Sequence, residues 1–264
     1  MLVCENIIKT FDIGAATEKT ALSGCNLRLN ENDFVTVIGG NGAGKSTILN
    51  AIAGVFMLEE GSIRIGDTDV TKLPEHIRAA HIGRVFQDPR MGTSPSMSIE
   101  ENLAIAYRRG KRRTLRWGIN RKERTLYKSH LKSLGLGLED RLGVKVGTLS
   151  GGQRQALTLL MATISRPKLL LLDEHTAALD PKTAKVVLEL TNKIVTENNL
   201  TTIMVTHNMR DALKSGNRIM MMHEGRIILD VEGEKKMGLT VADLLKMFEQ
   251  ASGEEMLSDR MLLS

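Results

Sequence analysis

At 264 residues, 42% of them hydrophobic and 25% charged, the chain can bury a large core, and its formal net charge is +5. The purest apolar runs, 169–172 and 219–222, are only four residues long, far short of the roughly 20 that cross a membrane. The start lacks the basic, then apolar pattern of a secretory signal, and Cys4 and Cys25 form neither a disulfide framework nor a metal-ligand spacing, so a soluble protein of a reducing cytoplasm is expected.

The elements follow from hydrophobic periodicity. Strands are expected at 2–9, 22–29 and 34–38, the last a β-branched run that ends in glycines. A helix follows over 44–53, then strands at 62–65 and 82–86, and a loop rich in Pro, Gly, Ser and Met over 89–98. Helical patterns fill 99–136. Within them, 108–128 holds ten Lys or Arg against Glu123 alone, so this segment carries +9 and the rest of the chain −4. A solvated helical face or a contact with anionic lipid or an acidic partner explains such a segment. Its few aromatics, Tyr107, Trp117 and Tyr127, argue against a nucleic-acid surface. Next come a helix from 150 to about 164, a buried strand at 169–172, and a helix at 181–197 with Pro181 in its first turn. A strand at 202–205, hairpin strands over 218–231 around Glu224 and Gly225, and a helix near 241–249 complete the pattern. Strands alternating with helices indicate an α/β core with a mostly parallel sheet.

Four segments carry chemistry. Gly39-Gly40-Asn41-Gly42-Ala43-Gly44-Lys45-Ser46 lies between a strand and a helix, the context a phosphate-binding loop requires. Its glycines let backbone N–H groups converge on phosphate oxygens, and the helix start adds a favourable dipole. Lys45 would reach the β and γ phosphates and Ser46 would ligate Mg²⁺; Gly39, Asn41, Gly42, Ala43, Gly44, Lys45, Ser46 and Thr47 are the candidate nucleotide contacts. Asp173 ends an apolar strand, where a carboxylate holds Mg²⁺ through water, and Glu174 is the candidate acceptor of the attacking water's proton. Ser150-Gly151-Gly152-Gln153 opens a second helix, with Ser150 as its N-cap. A second phosphate-suited helix start raises two readings, an ordinary capped helix or a site that serves a second copy arranged head to tail.

The order of these segments, and Leu149-Ser150-Gly151-Gly152-Gln153 above all, resembles the ATP-binding subunit of an ABC transporter over essentially the whole chain. The resemblance implies a P-loop NTPase with a RecA-like core, an antiparallel β subdomain and an inserted α-helical subdomain. Core residues would be 1–87 and 149–231, with the helical subdomain at about 88–148, all within an ATPase domain of 1–250, and a short helical tail at 232–264. It implies ATP and Mg²⁺ as ligands, with Ser150, Gly152 and Gln153 contacting the γ-phosphate held by an opposite protomer. Gln87, in Val85-Phe86-Gln87-Asp88, matches the glutamine that senses Mg²⁺ and the water. His207 matches the switch histidine, Asp180 the residue near the dimer seam, and Phe11 the adenine-stacking aromatic, where the family usually has Tyr. Phe11 is equally readable as a core residue. His175 stands where the family usually has Pro; little change in mechanism is expected, with the imidazole lending pH sensitivity near the seam.

The implied partners are a second, identical cassette, a separate membrane permease whose coupling helix enters a groove beside Gln87, and an extracytoplasmic solute-binding protein. The protein would then lie on the inner face of the cell membrane. The segment 174–180 is similar to ATPases of aromatic or branched-chain amino-acid uptake. The competing readings are an exporter ATPase with a separate permease, or a non-transport ABC ATPase acting on DNA or ribosomes.

Overall fold

The computed structural model describes residues 1–111 and 118–253. The chain divides into two units, one formed by Met1–Arg78 and the chain from Asn199 onward, the other by Ala79–Asn198.

The first unit opens with strands β1 (Leu2–Phe11), β2 (Lys19–Leu29) and β3 (Phe34–Gly39). Helix α1 (Lys45–Ala53), strands β4 (Glu60–Ile65) and β5 (Thr68–Asp69), and the short helix α2 (Glu75–Arg78) follow. Cys25, Leu27 and Leu29 alternate inward along β2, as a sheet with one covered face demands. The sheet is antiparallel in the order β2–β1–β4–β5, with Leu2 opposite both Leu29 and Ile65. Every residue of β3 is buried, which marks a strand covered on both faces.

The second unit contains β6 (Ile82–Val85), α3 (Ile99–Tyr107), α4 (Arg121–Ser133), α5 (Gly151–Thr163), β7 (Leu169–Asp173) and α6 (Pro181–Glu197). Strand β6 runs parallel to β7, with Ile82 beside Leu169 and Val85 beside Leu172. Ser98 with Glu101 and Asn120 with Glu123 close the starts of α3 and α4 as reciprocal capping boxes. Much of the basic charge expected on a solvated face is answered locally. Arg108 pairs with Glu123 at 2.9 Å, Arg124 with Glu100 at 2.8 Å, and the Lys111 ammonium stands 3.5 Å from the centre of the Tyr107 ring. Arg112, Arg113, Arg116 and Trp117 of that segment lie outside the described residues.

Returning to the first unit, the chain forms β8 (Thr201–Val205), α7 (Met209–Lys214), β9 (Arg218–His223), β10 (Arg226–Glu232), α8 (Glu234–Met237) and α9 (Val241–Ser252). Strand β3 lies parallel to β8 on one side and to β9 on the other, and β10 is antiparallel to β9. The stretch near 241–249 is no loose appendage: Leu244 and Phe248 of α9 pack into one cluster with Ile38, Met209, Ile219 and Met221. α2, α7, α8 and β5 are six residues or fewer, too short for a periodic pattern to announce them.

Buried Arg78 secures the far end of α1. Its guanidinium donates to the carbonyls of Ala51 and Ile52 in the last turn of α1, and to those of Leu73 and Thr71. A cation at a helix C-terminus satisfies orphan carbonyls and opposes the negative end of the helix dipole. Gly54 is required there: at φ 82 it ends α1, and a Cβ on it would come within 2.6 Å of the Arg78 side chain.

Candidate nucleotide site

In the first unit, β3 delivers the chain into the glycine loop and α1 takes it away. Gly44 is the N-cap of α1 at φ 98 and supplies no capping side chain, so the helix start is shaped by backbone alone. A Cβ on Gly39 would meet the Met222 carbonyl oxygen at 2.3 Å, and one on Gly44 would meet that of Ala21 at 2.7 Å. The loop is therefore clamped between β9 and β2 and tolerates no side chain at either point. By contrast, nothing lies within 4 Å of the Cβ direction of Gly40. Backbone walls on one side and open space on the other are the shape a phosphate cradle requires. Lys45 is only 7% exposed, and its ammonium donates to the carbonyls of Gly39 and Gly40 at 2.9 Å each. The β9–β10 turn braces the loop from below, with Gly225 N–H donating to the Ala43 carbonyl at 3.1 Å.

His207 lies two residues past the end of β8, and β8 lies alongside β3, with Val205 beside Val37. The Thr206 N–H donates to the Val37 carbonyl at 3.1 Å, so the strand that ends at the glycine loop also sets where His207 leaves the sheet. Asn208 then caps α7, its side-chain oxygen accepting from the N–H groups of Arg210 and Asp211. Phe11 is 39% exposed at the end of β1, which removes the core reading for it, and it packs edge-on against Phe56 with ring centres 5.4 Å apart. Lys19 is the residue that sequence reasoning passed over. It pairs with Phe11 across β1 and β2, and its ammonium would stand 3.2 Å from a Cβ on Gly42. A lone lysine in a strand carries no motif; only the pairing brings it beside the glycine loop.

In the second unit, β7 ends at Asp173, and Arg84 of β6 forms an ion pair with it at 3.9 Å. Glu174 comes next with φ 42, a left-handed conformation that costs a non-glycine residue roughly 1–2 kcal/mol. His175 corrects the expectation of a pH-sensitive imidazole near a seam. It is 2% exposed against α6, its Nε2 lies 2.9 Å from Thr191 Oγ1, and burial pushes its pKa down to about 4. The ring is neutral through the physiological range because the interior disfavours the imidazolium.

Gln87 follows β6, one residue after Phe86, whose carbonyl accepts from the buried Gln155 side chain of α5 at 3.2 Å. Ser150 is the N-cap of α5, accepting from the Gln153 N–H at 3.3 Å while the Gln153 side chain accepts from the Ser150 N–H at 3.3 Å. Gly152 lies so close to α6 that a Cβ would meet Thr183 Cγ2 at 2.1 Å. Asp180 caps α6, and Thr183, bonding it through side chain and backbone, holds the Asp180 carboxyl below the usual range. Gln87, Asp88, Arg90, Gly151, Arg154 and Leu179 are among the residues lining an open groove of about 440 Å³. The unit thus gathers Gln87, the Ser150 turn and the residues before Asp180 around one depression.

The model of the family described as "ABC transporter" matches residues 22–177. The chain belongs to this family. It is 45% identical over 251 residues to a tyrosine transport ATP-binding protein of Clostridioides difficile, covering 95% of this chain and 100% of that protein. A methionine import ATP-binding protein of Corynebacterium diphtheriae is 36% identical, but the match spans 85% of this chain and only 64% of that protein. Among solved structures, a dimeric ATP-binding cassette in a post-hydrolysis state with ADP and Pi has a TM-score of 0.75 at 30% identity, covering 88% of this chain and 98% of the other. The cassette accordingly binds ATP, uses Mg²⁺ and hydrolyses the nucleotide in the service of transport. No described helix is long and apolar enough to cross a membrane.

Proposed function

We propose that the chain drives the uptake of an amino acid of the aromatic class through a separate permease, by closing and reopening a head-to-tail dimer of two identical cassettes. The single observation that carries this reading is the pair of glycine-bearing helix starts, at α1 and α5, in a chain aligned over 95% of its length with a tyrosine transport ATP-binding protein. One copy's glycine loop, from Gly39 to Thr47, holds the triphosphate and Phe11 stacks on the adenine. The other copy offers Ser150, Gly152 and Gln153 to the γ-phosphate, with Asp180 at the contact between copies. ATP favours the closed pair because it contacts that state from both sides.

Lys45 would neutralise charge on the β and γ phosphates, and Ser46, Gln87 and Asp173 are the residues that would hold Mg²⁺. When bound, the ion neutralises charge that develops on the phosphoryl oxygens. Glu174 takes the proton of the attacking water, and His207 holds the γ-phosphate. The groove beside Gln87 receives a helix of the permease, so closure reaches the membrane. A solute-binding protein delivers the amino acid from outside, and the cassette lies peripherally on the inner face of the cell membrane.

The Glu174→Gln variant tests the chemistry. Nucleotide affinity should stay near normal while turnover falls by about 10²- to 10⁴-fold, the usual contribution of a general base. Turnover close to wild type would remove Glu174 from the role. The transport reading is tested by purifying the cassette from its own membranes: a polytopic protein should accompany it, and an aromatic amino acid should stimulate ATPase activity of that complex. Recovery with ribosomes or DNA instead would overturn it.

A further inference from the structure

Glu174 occupies the left-handed backbone region directly after the last residue of β7. An L residue is crowded there, because its Cβ approaches the following carbonyl oxygen. Something must hold the turn that follows, and two contacts converge on it. The Glu174 carbonyl accepts the Ala177 N–H at 2.9 Å. The next side chain, His175, runs inward and places Nε2 2.9 Å from Thr191 Oγ1 on α6, while the Thr191 hydroxyl donates to the Val187 carbonyl at 2.8 Å.

A hydroxyl has one proton to give, and here it goes to Val187 within α6. With its proton on that carbonyl, the Thr191 oxygen is left to accept from an Nε2–H tautomer of His175. Thr191 is fully buried and His175 nearly so, so neither group has water to exchange for this bond, and an unmade bond leaves a dry donor. The link is directional, and it lies one residue from the carboxylate that needs aiming.

We propose that His175 is a positioning residue for the hydrolytic step: its bond to Thr191 fastens the β7–α6 turn to α6 and so sets where the neighbouring Glu174 carboxylate points. The inference rests on the reading of Glu174 as the group that takes the water's proton. A general base acts only within hydrogen-bond reach of that proton, and a displacement of about 1 Å can cost about 10²-fold in rate.

The test uses the full-length chain carrying Thr191→Val or Thr191→Ser, each alone and with Glu174→Gln, with turnover at saturating ATP, nucleotide affinity and melting temperature as readouts. Thr191→Val should lower kcat about tenfold with little change in affinity, and Thr191→Ser should restore it, because serine keeps the acceptor. On the Glu174→Gln background the same change should alter the residual rate less than about twofold, since the group being positioned is already gone. Should Thr191→Val melt near the assay temperature, the pair His175→Leu with Thr191→Val removes both partners and leaves nothing unpaired, and it must show the same loss of kcat in a stable protein. An unchanged kcat, an equal loss on both backgrounds, or no rescue by serine overturns the proposal. If Glu174→Gln itself turns over normally, the base assignment falls; if that variant is crippled while Thr191→Val is normal, only the positioning role falls.

Discussion

The starts of α1 and α5 look alike in sequence, each rich in glycine ahead of a helix, but the structure finishes them differently. At α1 the N-cap is Gly44 in a left-handed conformation with no capping side chain, and backbone of β2 and β9 presses on the loop from behind. At α5 the Ser150 hydroxyl and Gln153 amide close on each other's backbone as a capping box. The first is a socket shaped for a guest. The second is a finished helix end that stands complete in one copy, and it presents an exposed serine and glycine beside a groove. A loop without a cap is open to a ligand, whereas a self-capped turn is complete without one.

Either helix start can be disabled separately. The largest effect is expected at the socket: Lys45→Ala should cut ATP turnover by about 10²- to 10³-fold, as removal of a charge-stabilising donor does, and weaken binding in a nucleotide titration. Near-normal binding would mean that backbone alone holds the triphosphate. At the opposite end of α1, Arg78→Met strips the donors from four carbonyls, and denaturant unfolding should show a loss of about 3 kcal/mol. An unchanged midpoint would mean that water takes over the guanidinium's role.

Ser150→Ala sharpens the contrast, because it should separate binding from turnover. Loss of the cap costs about 1 kcal/mol of stability, and loss of the hydroxyl proposed to meet the γ-phosphate should lower turnover about 10- to 100-fold, the worth of a hydrogen bond to a charged group. Nucleotide binding to the separate cassette should be unaffected. A variant equally impaired in both would assign Ser150 a structural part only. The smallest effect belongs to Lys19→Gln: an exposed cation beside Gly42 should shift the apparent KM for ATP by about two- to fivefold, more at low salt. Insensitivity to salt would place that ammonium outside the field of the phosphates.

Much of this was legible beforehand, and the legible parts share a cause. β3 is buried throughout and β7 is apolar up to its terminal Asp173, because parallel strands are covered on both faces, and glycine loops and capping boxes are local rules written within a few residues. Long helices such as α5 and α6 show their period over several turns. Helices of six residues or fewer show none, and α2, α7 and α8 went unread. Phe11 had two readings, and its exposure at the end of β1 removed the core one.

The residues alone determined the chemistry on offer: a phosphate cradle ending in Lys45, carboxylates at the end of a buried strand, and a serine opening a second helix. Such groups are specified by identity and near spacing. Tertiary structure decided what surrounds them, since that depends on partners far away in the chain. Thr191 meets His175 from a neighbouring helix, Lys19 reaches Gly42 across a strand pair, and Arg78 closes α1 from 26 and 27 residues away. A histidine after a glutamate carries no sign of whether it is wet or dry. Its burial against α6, set by how the turn packs, made it a neutral anchor in place of a proton sensor.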